Sequence, residues 1–128
     1  KNTLNNICHS FAPSILAEYA SEYFEMDISS PYMLMVSPVK KPTEIPAVTH
    51  VDGTGRIQTV SKETNSLYYD LINEFFKITG VPVIINTSMN VMGEPIVNTP
   101  EEAYNMIVKT DMDYLIMGNY LIEKNYVC

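Results

Sequence analysis

The stretch ETNSLYYDLINEFFKITGVPVIIN, residues 63–86, contains a helix signal followed directly by a strand signal. Asn65 is a favoured N-cap residue, and Gly80 followed by Pro82 is typical of a helix end. The helical spacing places several apolar side chains on one face, namely Leu67, Leu71, Ile72, Phe75 and Ile78. The run VPVIIN is apolar on both faces, which favours a strand in the centre of a sheet. The stretch therefore predicts a helix and then a buried strand.

Three segments precede this helix and strand. The segment FAPSILAEYASEYFE, residues 11–25, spaces its apolar residues three and four apart, with Pro13 suited to a first turn, and predicts a helix. The segment SPYMLMVSPV, residues 30–39, is a short apolar run bounded by prolines and predicts a strand. The segment IPAVTHVDGTGRIQTV, residues 45–60, has two β-rich arms around a Gly-containing turn and predicts a β-hairpin.

Two further elements follow. The segment NTPEEAYNMIVKT carries a capping box from Thr99 to Glu102, with Pro100 at the first helical position, and predicts a third helix. The segment DYLIMGNYLIEK predicts two short strands broken at Gly118-Asn119. Because helices and strands alternate, the sequence predicts an α/β (α+β) fold in which a mixed sheet carries helices. We expect one domain spanning residues 1–128.

Composition excludes several classes of protein. The chain has 128 residues, 46% of them hydrophobic and 18% charged, which suits one ordinary core. Its net charge is −7 and its eight basic residues are scattered, so we expect no nucleic-acid surface. No apolar run approaches the length of a membrane span, and no export signal opens the chain, so we expect no membrane association and a cytoplasmic location. The start at Lys1, without a methionine, favours a piece of a longer polypeptide.

The loop INTSMNVMGEP, residues 85–95, is the first candidate site. It presents Asn86, Thr87, Ser88 and Asn90 directly after a strand, where ligands of α/β sheets collect. Hydroxyl and amide groups donate hydrogen bonds to phosphate or carbonyl oxygens without adding charge. The same residues also satisfy the backbone of an ordinary polar turn. The local sequence leaves both interpretations open.

The second candidate is Arg56, the only arginine in the chain, which follows the Gly-containing turn. Its guanidinium offers a planar fork that matches phosphate or carboxylate oxygens. The alternative is an exposed strand residue paired with a nearby carboxylate. His50 and Asp52 stand two residues apart and would share a strand face, so a metal pair is conceivable. No third ligand is suggested nearby, and a turn-initiating Asp beside a hydrogen-bonded His is favoured; we predict no metal site.

Several collinear blocks, FAPSILAEY, SPYMLMVSPVK, THVDG..R.QTV and P...NTS.N..GEPIV.TP, resemble the C-terminal domain of the carbamoyltransferase family that modifies antibiotics and nodulation factors. The resemblance covers about the whole chain and implies a YrdC-like fold with a twisted mixed sheet. It implies a domain that joins ATP, with Mg, to carbamoyl phosphate, giving a carbamoyl-adenylate. The acceptor site and the iron ligands would belong to a sugar-kinase-like N-terminal domain or partner chain.

The resemblance also assigns residues. It matches Ser88 and Asn90 to a Ser-x-Asn signature that contacts nucleotide and phosphate, and Arg56 to the arginine after the DGT turn. The remaining residues of the predicted ATP and carbamoyl phosphate site are Thr54, Asn86 and Thr87. No catalytic residue is predicted.

Two departures from the family pattern stand out. The family carries a basic segment before FAPS, whereas TLNNICHS, residues 3–10, has neither Lys nor Arg. Met89 and Met92 stand where the family has an aromatic and a basic residue. Three hypotheses follow: a carbamoyl-activating domain, a nucleotide- or phosphate-binding module that has lost turnover, or a purely structural remnant.

Overall fold

The structure is a computed structural model that describes residues 11–124. The chain divides into two compact units, one ending at Thr87 and the other beginning at Ser88. The first contains β1 (Ala12–Leu16), a 3-10 turn (Ala17–Tyr19), α1 (Ala20–Tyr23), β2 (Met35–Pro38), a second 3-10 turn (Pro46–Val48), β3 (Thr54–Val60), α2 (Ser66–Thr79) and β4 (Val83–Asn86). The second contains α3 (Pro100–Lys109), β5 (Tyr114–Met117) and β6 (Tyr120–Glu123). These elements confirm the predicted mixed α/β class, while a single domain over residues 1–128 stays a prediction.

The first unit is built on a four-stranded mixed sheet in the order β2-β3-β1-β4. Strand β1 runs parallel to β3 and antiparallel to β4, and β2 pairs antiparallel with β3. The predicted helix over residues 11–25 is therefore wrong for its first half. All five residues of β1 are buried, so the strand needs apolar or small side chains on both faces. Such a run also satisfies helical spacing, and only its place inside the sheet decides between a helix and a strand.

The predicted hairpin over residues 45–60 is also wrong. Its first arm forms the 3-10 turn Pro46–Val48, and β3 pairs with β2 and β1 instead. Pro46 stands at the start of that turn, where its fixed φ is suited and its missing N–H is not needed. The strand predicted in residues 30–39 is confirmed in its second half as β2.

Strand β4 differs from its predicted position. It is confirmed as a strand, but among the described residues it pairs only with β1 and so forms an edge of the sheet. Most of its residues are apolar because both faces of the strand pack against other elements of the first unit. Val83 lies in a core with Ile15 and Ile57, and Ile84 packs with residues of α2 on the opposite face.

Helix α2 is confirmed at both ends. The Asn65 side chain accepts a hydrogen bond from the Tyr68 N–H at 3.2 Å, and Gly80 closes the helix with φ 74°. Its buried face differs from the prediction. Ile72 is fully buried, but the other predicted core residues are exposed, namely Leu67, Leu71, Phe75 and Ile78. Aromatic side chains next to Ile72 cover the sheet instead, because they reach Leu16 and Val60.

The second unit confirms its predicted elements. The Thr99 side chain accepts from the Glu102 N–H at 3.2 Å, and the Glu102 carboxylate accepts from the Thr99 N–H at 3.2 Å, completing the capping box. Strands β5 and β6 pair antiparallel about Gly118, which has φ 57°. A small core of Ala103, Ile107 and Leu115 lies between helix and hairpin. Across residues 11–124, no helix has the length and apolar content needed to cross a bilayer.

Candidate functional site

One face of the four-stranded sheet carries the polar residues of the candidate site. Alternate residues of a strand share a face, so Arg56 and Gln58 of β3 point the same way. Gln58 pairs with Ser14 of β1, and Asn86 of β4 pairs with Ala12, two residues before Ser14. Paired residues on neighbouring strands lie on the same face. Arg56, Gln58, Ser14 and Asn86 therefore share one face of the sheet.

Gln58 is the centre of a hydrogen-bond network on this face. Its Oε1 accepts from Ser14 Oγ at 2.8 Å and from Asn86 Nδ2 at 2.6 Å. Its Nε2 donates to the Pro31 carbonyl at 3.0 Å. Tyr68 of α2 donates its hydroxyl to Ser14 Oγ at 2.9 Å, which links the network to the helix. Because Ser14 is fully buried, this network satisfies a polar group that water does not reach.

Arg56 is exposed, and no hydrogen bond or ion pair joins its guanidinium to another residue in the range 11–124. Other basic side chains of the first unit are engaged: Lys40 donates to the Ser21 carbonyl, Lys41 pairs with Glu22, Lys62 with Asp70 and Lys77 with Glu74. Within residues 11–124, Arg56 therefore does not form the ion pair with a nearby carboxylate that the sequence left open as an alternative. Its planar fork is free to receive an anion.

The turn before β3 uses its polar groups internally. Thr54 donates both its N–H and its hydroxyl to Asp52 Oδ1, at 3.0 and 2.7 Å. These two bonds lower the pKa of Asp52 below its ordinary value, with the hydroxyl bond as the larger cause. His50 Nδ1 lies 3.3 Å from the Thr54 hydroxyl. Residues 11–124 contain no group of three or more His, Cys, Asp or Glu side chains arranged to hold a metal ion.

The polar loop that opens the second unit is also internally bonded. Ser88 Oγ donates to Asn90 Oδ1, and Asn90 Nδ2 donates to the carbonyls of Val91 and Glu94 at 3.2 and 3.0 Å. The Asn90 carboxamide is therefore engaged at both ends, as the turn interpretation expects. Thr87 and Ser88 are exposed, so their hydroxyls remain accessible to solvent. The assignment of these residues to a ligand stays a prediction.

The two methionines that depart from the family pattern have different surroundings. Met89 packs against the core of the second unit, formed by Ala103, Ile107 and Leu115, so it fills space there. Met92 is 83% exposed and brings no charge to the loop surface. The other departure, TLNNICHS, lies outside the described residues.

Gln58 was not among the residues predicted from the sequence. The signal was present, because period-two alternation in TGRIQTV places Gln58 on the face of Arg56. What the sequence could not supply was the position of Ser14 and Asn86 beside it. That position depends on β1 lying between β3 and β4.

Comparison with known proteins identifies the family. The profile of the family described as Carbamoyltransferase C-terminus matches residues 6–124, so this chain belongs to that family of transferases. Nodulation protein NolNO of Sinorhizobium fredii is 49% identical over 119 residues, which cover 89% of this chain and 18% of the relative. Nodulation protein NolO of Bradyrhizobium diazoefficiens is 45% identical over 119 residues, covering 89% and 22%.

A third relative carries an activity in its name. The 3'-hydroxymethylcephem-O-carbamoyltransferase of Amycolatopsis lactamdurans is 39% identical over 87 residues, which cover 68% of this chain and 17% of that protein. The chain thus spans about a fifth of the length of these relatives. The predicted resemblance to nodulation and antibiotic carbamoyltransferases is confirmed.

Proposed function

We propose that this chain is the carbamoyl-activating part of an O-carbamoyltransferase. It binds ATP, with Mg, and carbamoyl phosphate, and supports formation of a carbamoyl-adenylate. Water cleaves carbamoyl phosphate to carbamate and phosphate, and the carbamate displaces pyrophosphate from ATP. A sugar-kinase-like N-terminal domain or partner chain, with its own iron, then passes the carbamoyl group to a hydroxyl acceptor. Family membership supports the reaction class. The observation that carries the ligand assignment is the exposed guanidinium of Arg56 on the polar face of the sheet, which has no hydrogen bond or ion pair with residues 11–124.

The charges of the substrates explain why Arg56 matters. ATP and carbamoyl phosphate are both polyanions, and the chain itself has a net charge of −7. A bidentate cation lowers the repulsion between the two substrates, and neutral hydroxyl and amide donors add hydrogen bonds. In the proposal Arg56 supplies the cation, and Thr54, Asn86 and Thr87 of the first unit supply polar groups. The assignment of Ser88 and Asn90 rests on the Ser-x-Asn signature of the family.

A second candidate is a module that binds nucleotide or phosphate without turnover. Two features of the sequence favour this second candidate. Residues 3–10, TLNNICHS, contain neither Lys nor Arg, and Met92 stands where the family has a basic residue. Each missing charge-assisted contact removes about 1.5–3 kcal/mol of binding. Pyrophosphate release from ATP in the presence of carbamoyl phosphate separates the two, because only an activating domain produces it.

Calorimetric titration with ATP and with carbamoyl phosphate tests binding. We expect Arg56→Lys to weaken binding more than Lys77→Ala, because the fork geometry of the guanidinium is used and not its charge alone. Lys77 is a suitable control, since it is an exposed cation already bonded to Glu74 at 2.6 Å. Equal losses of affinity in the two variants would argue against Arg56 as a ligand-binding residue. Absence of heat with either compound at millimolar concentration would reject both ligand-binding functions and leave a structural remnant.

A further inference from the structure

Strand β4 has one free edge. The Leu16 N–H donates to the Pro82 carbonyl at 3.3 Å, so this pair is a hydrogen-bonded one between β1 and the chain that enters β4. Hydrogen-bonded and non-hydrogen-bonded pairs alternate along antiparallel strands, so the N–H and C=O groups of Val83 and Ile85 point away from β1. No hydrogen bond joins these outward groups to another of residues 11–124. The edge of β4 is therefore open to another strand.

The opposite edge of the sheet is partly closed by the chain itself. Beside β2, the Glu25 N–H donates to the Pro38 carbonyl at 3.0 Å, and the Lys40 N–H donates to the Tyr23 carbonyl at 2.8 Å. Pro38 also has no N–H to offer on that edge. Folded proteins block their edge strands in such ways, because an open edge accepts the strand of another segment. Strand β4, with the sequence VIIN, contains neither a charged residue nor a proline.

An apolar groove of about 210 Å³ lies beside the free edge of β4. Most of its lining residues are apolar and come from the second 3-10 turn, from α2 and from β4, including Ile45, Pro46, Val48, Phe75, Val81 and Ile85. Glu44 is the one charged residue among those that line it, and its carboxylate already accepts from the Tyr23 hydroxyl at 2.8 Å. The groove therefore suits apolar side chains.

The exposed stripe of helix α2 extends this apolar surface. Leu71, Phe75 and Ile78 are spaced four and three residues apart, which places them on one helix face, and Phe75 lines the groove. These side chains are 55%, 39% and 85% exposed, although their spacing is that of a buried face. A contiguous apolar surface of this kind marks a contact with another segment of protein.

The length of the relatives identifies the source of that segment. This chain corresponds to 18% of NolNO and 22% of NolO, and it matches a family described as a C-terminus, so about four fifths of each relative lies before the matched region. The outward groups of Val83 and Ile85 require an extended backbone as their partner. Alternate side chains of such a strand point to one face of the sheet, where the groove receives them.

We propose that an extended segment of this preceding polypeptide adds a fifth strand beside β4. Its backbone pairs with Val83 and Ile85, its apolar side chains at every second position fill the groove, and the structure that follows or precedes it covers the α2 stripe. The proposal rests on family membership and not on the ligand chemistry of the proposed function. Its test therefore needs no substrate, and its failure would leave the proposed function standing.

The probe is the region of NolNO that precedes the matched part, produced as a folded polypeptide. Calorimetric titration measures its binding to this chain, and hydrogen exchange is followed with and without it. We expect the amides of Val83 and Ile85 to exchange at least about 10-fold more slowly in the complex, because they become hydrogen-bonded. Absence of binding, or protection that does not include these two amides, would overturn the proposal.

Two variants of Ile85 test the same edge. Ile85→Pro removes an outward N–H and no bond to β1, so it should keep the sheet and weaken binding of the NolNO region at least about 10-fold. Ile85→Lys places a charge at the groove and should weaken binding similarly, which keeps the test decisive if the proline variant does not fold. Val36→Lys is the matched control, because Val36 is an exposed residue of the other edge strand. It should change the affinity by less than about 3-fold.

Two results with these variants would contradict the proposal. Equal losses of affinity in Ile85→Lys and Val36→Lys would show that binding does not use the edge of β4. Analytical ultracentrifugation of the chain alone gives the other: a dimer that Ile85→Pro converts to a monomer would assign this edge to a second copy of the chain. A monomer in both cases, with binding lost only in the Ile85 variants, is the expected result.

Discussion

Asn86 and Gln58 are joined across strand β1 by a hydrogen bond of 2.6 Å, although they come from strands that do not pair with each other. The bond spans the central strand above Ala12 and Ser14. It belongs to a network that connects three strands, the Pro31 carbonyl and helix α2. The side chain with the most bonds in this network is Gln58, so stability should depend strongly on it.

Replacing Gln58 by Leu should lower the free energy of unfolding by about 2–3 kcal/mol. The change leaves the Pro31 carbonyl and the amide of Asn86 without their partner. Urea denaturation measures the loss. Arg56→Ala is the control, because Arg56 lies on the same face of β3 but is exposed and has no partner among residues 11–124. This substitution should change the free energy of unfolding by less than about 0.5 kcal/mol. Similar losses in the two variants would show that the network contributes nothing specific.

Helix α2 allows a comparison of buried and exposed isoleucines. Ile72→Ala should cost about 3 kcal/mol, because Ile72 is fully buried against Leu16 and Val60. Ile78→Ala, on the exposed side of the same helix, should change stability by less than about 0.5 kcal/mol. Thermal denaturation followed by circular dichroism gives both values. A large cost at Ile78 would mean that its side chain is covered in solution.

The start of helix α3 should depend on its capping box. Thr99→Ala removes the side-chain acceptor of the Glu102 N–H and should destabilise the second unit by about 1 kcal/mol. Hydrogen exchange of the first-turn amides reports the effect locally. Glu101→Gln, a neighbouring exposed residue, should change their protection much less. Equal changes in both variants would indicate that the charge of the first turn, and not the cap, stabilises this end.

The raised pKa of Tyr23 makes the stability of the fold depend on pH in the alkaline range. Burial, together with a hydrogen bond of 2.8 Å to Glu44 Oε2, raises the pKa of Tyr23 from 10.0 to about 12. The unfolded chain thus loses this proton near pH 10, while the folded chain holds it until about pH 12. A raised pKa contributes stability that is complete below pH 10 and is lost as the pH rises toward 12.

The measurement is the stability difference between the native sequence and Tyr23→Phe. That difference should be constant below pH 9 and should shrink between pH 10 and 12, because Phe has no proton to release. Denaturation at a series of pH values gives the curve. Parallel curves through this range would contradict the assignment of the raised pKa to Tyr23.

The sequence alone predicted the elements whose signals are local. Asn65 and Gly80 bound α2, Thr99 and Glu102 cap α3, and Gly118 breaks β5 from β6, as their side chains and φ preferences require. Collinear blocks along the chain, with those around Arg56 and residues 86–90 the most specific, indicated the carbamoyltransferase family, which the family profile confirms. These signals are carried by residues close together in the chain, so no knowledge of the sheet was needed.

Tertiary structure decided the features that depend on distant neighbours. Residues 12–16 form a strand because the sheet buries both of their faces, although their spacing also fits a helix. Aromatic residues of α2 reach the sheet, and that contact leaves the predicted apolar stripe exposed. Asn86 donates its amide nitrogen to Gln58, 28 positions earlier, only because β1 brings β3 and β4 together in one sheet. Sequence determines the hydrogen-bonding groups a side chain possesses, whereas the pairing of strands determines which of those groups remain free for a ligand.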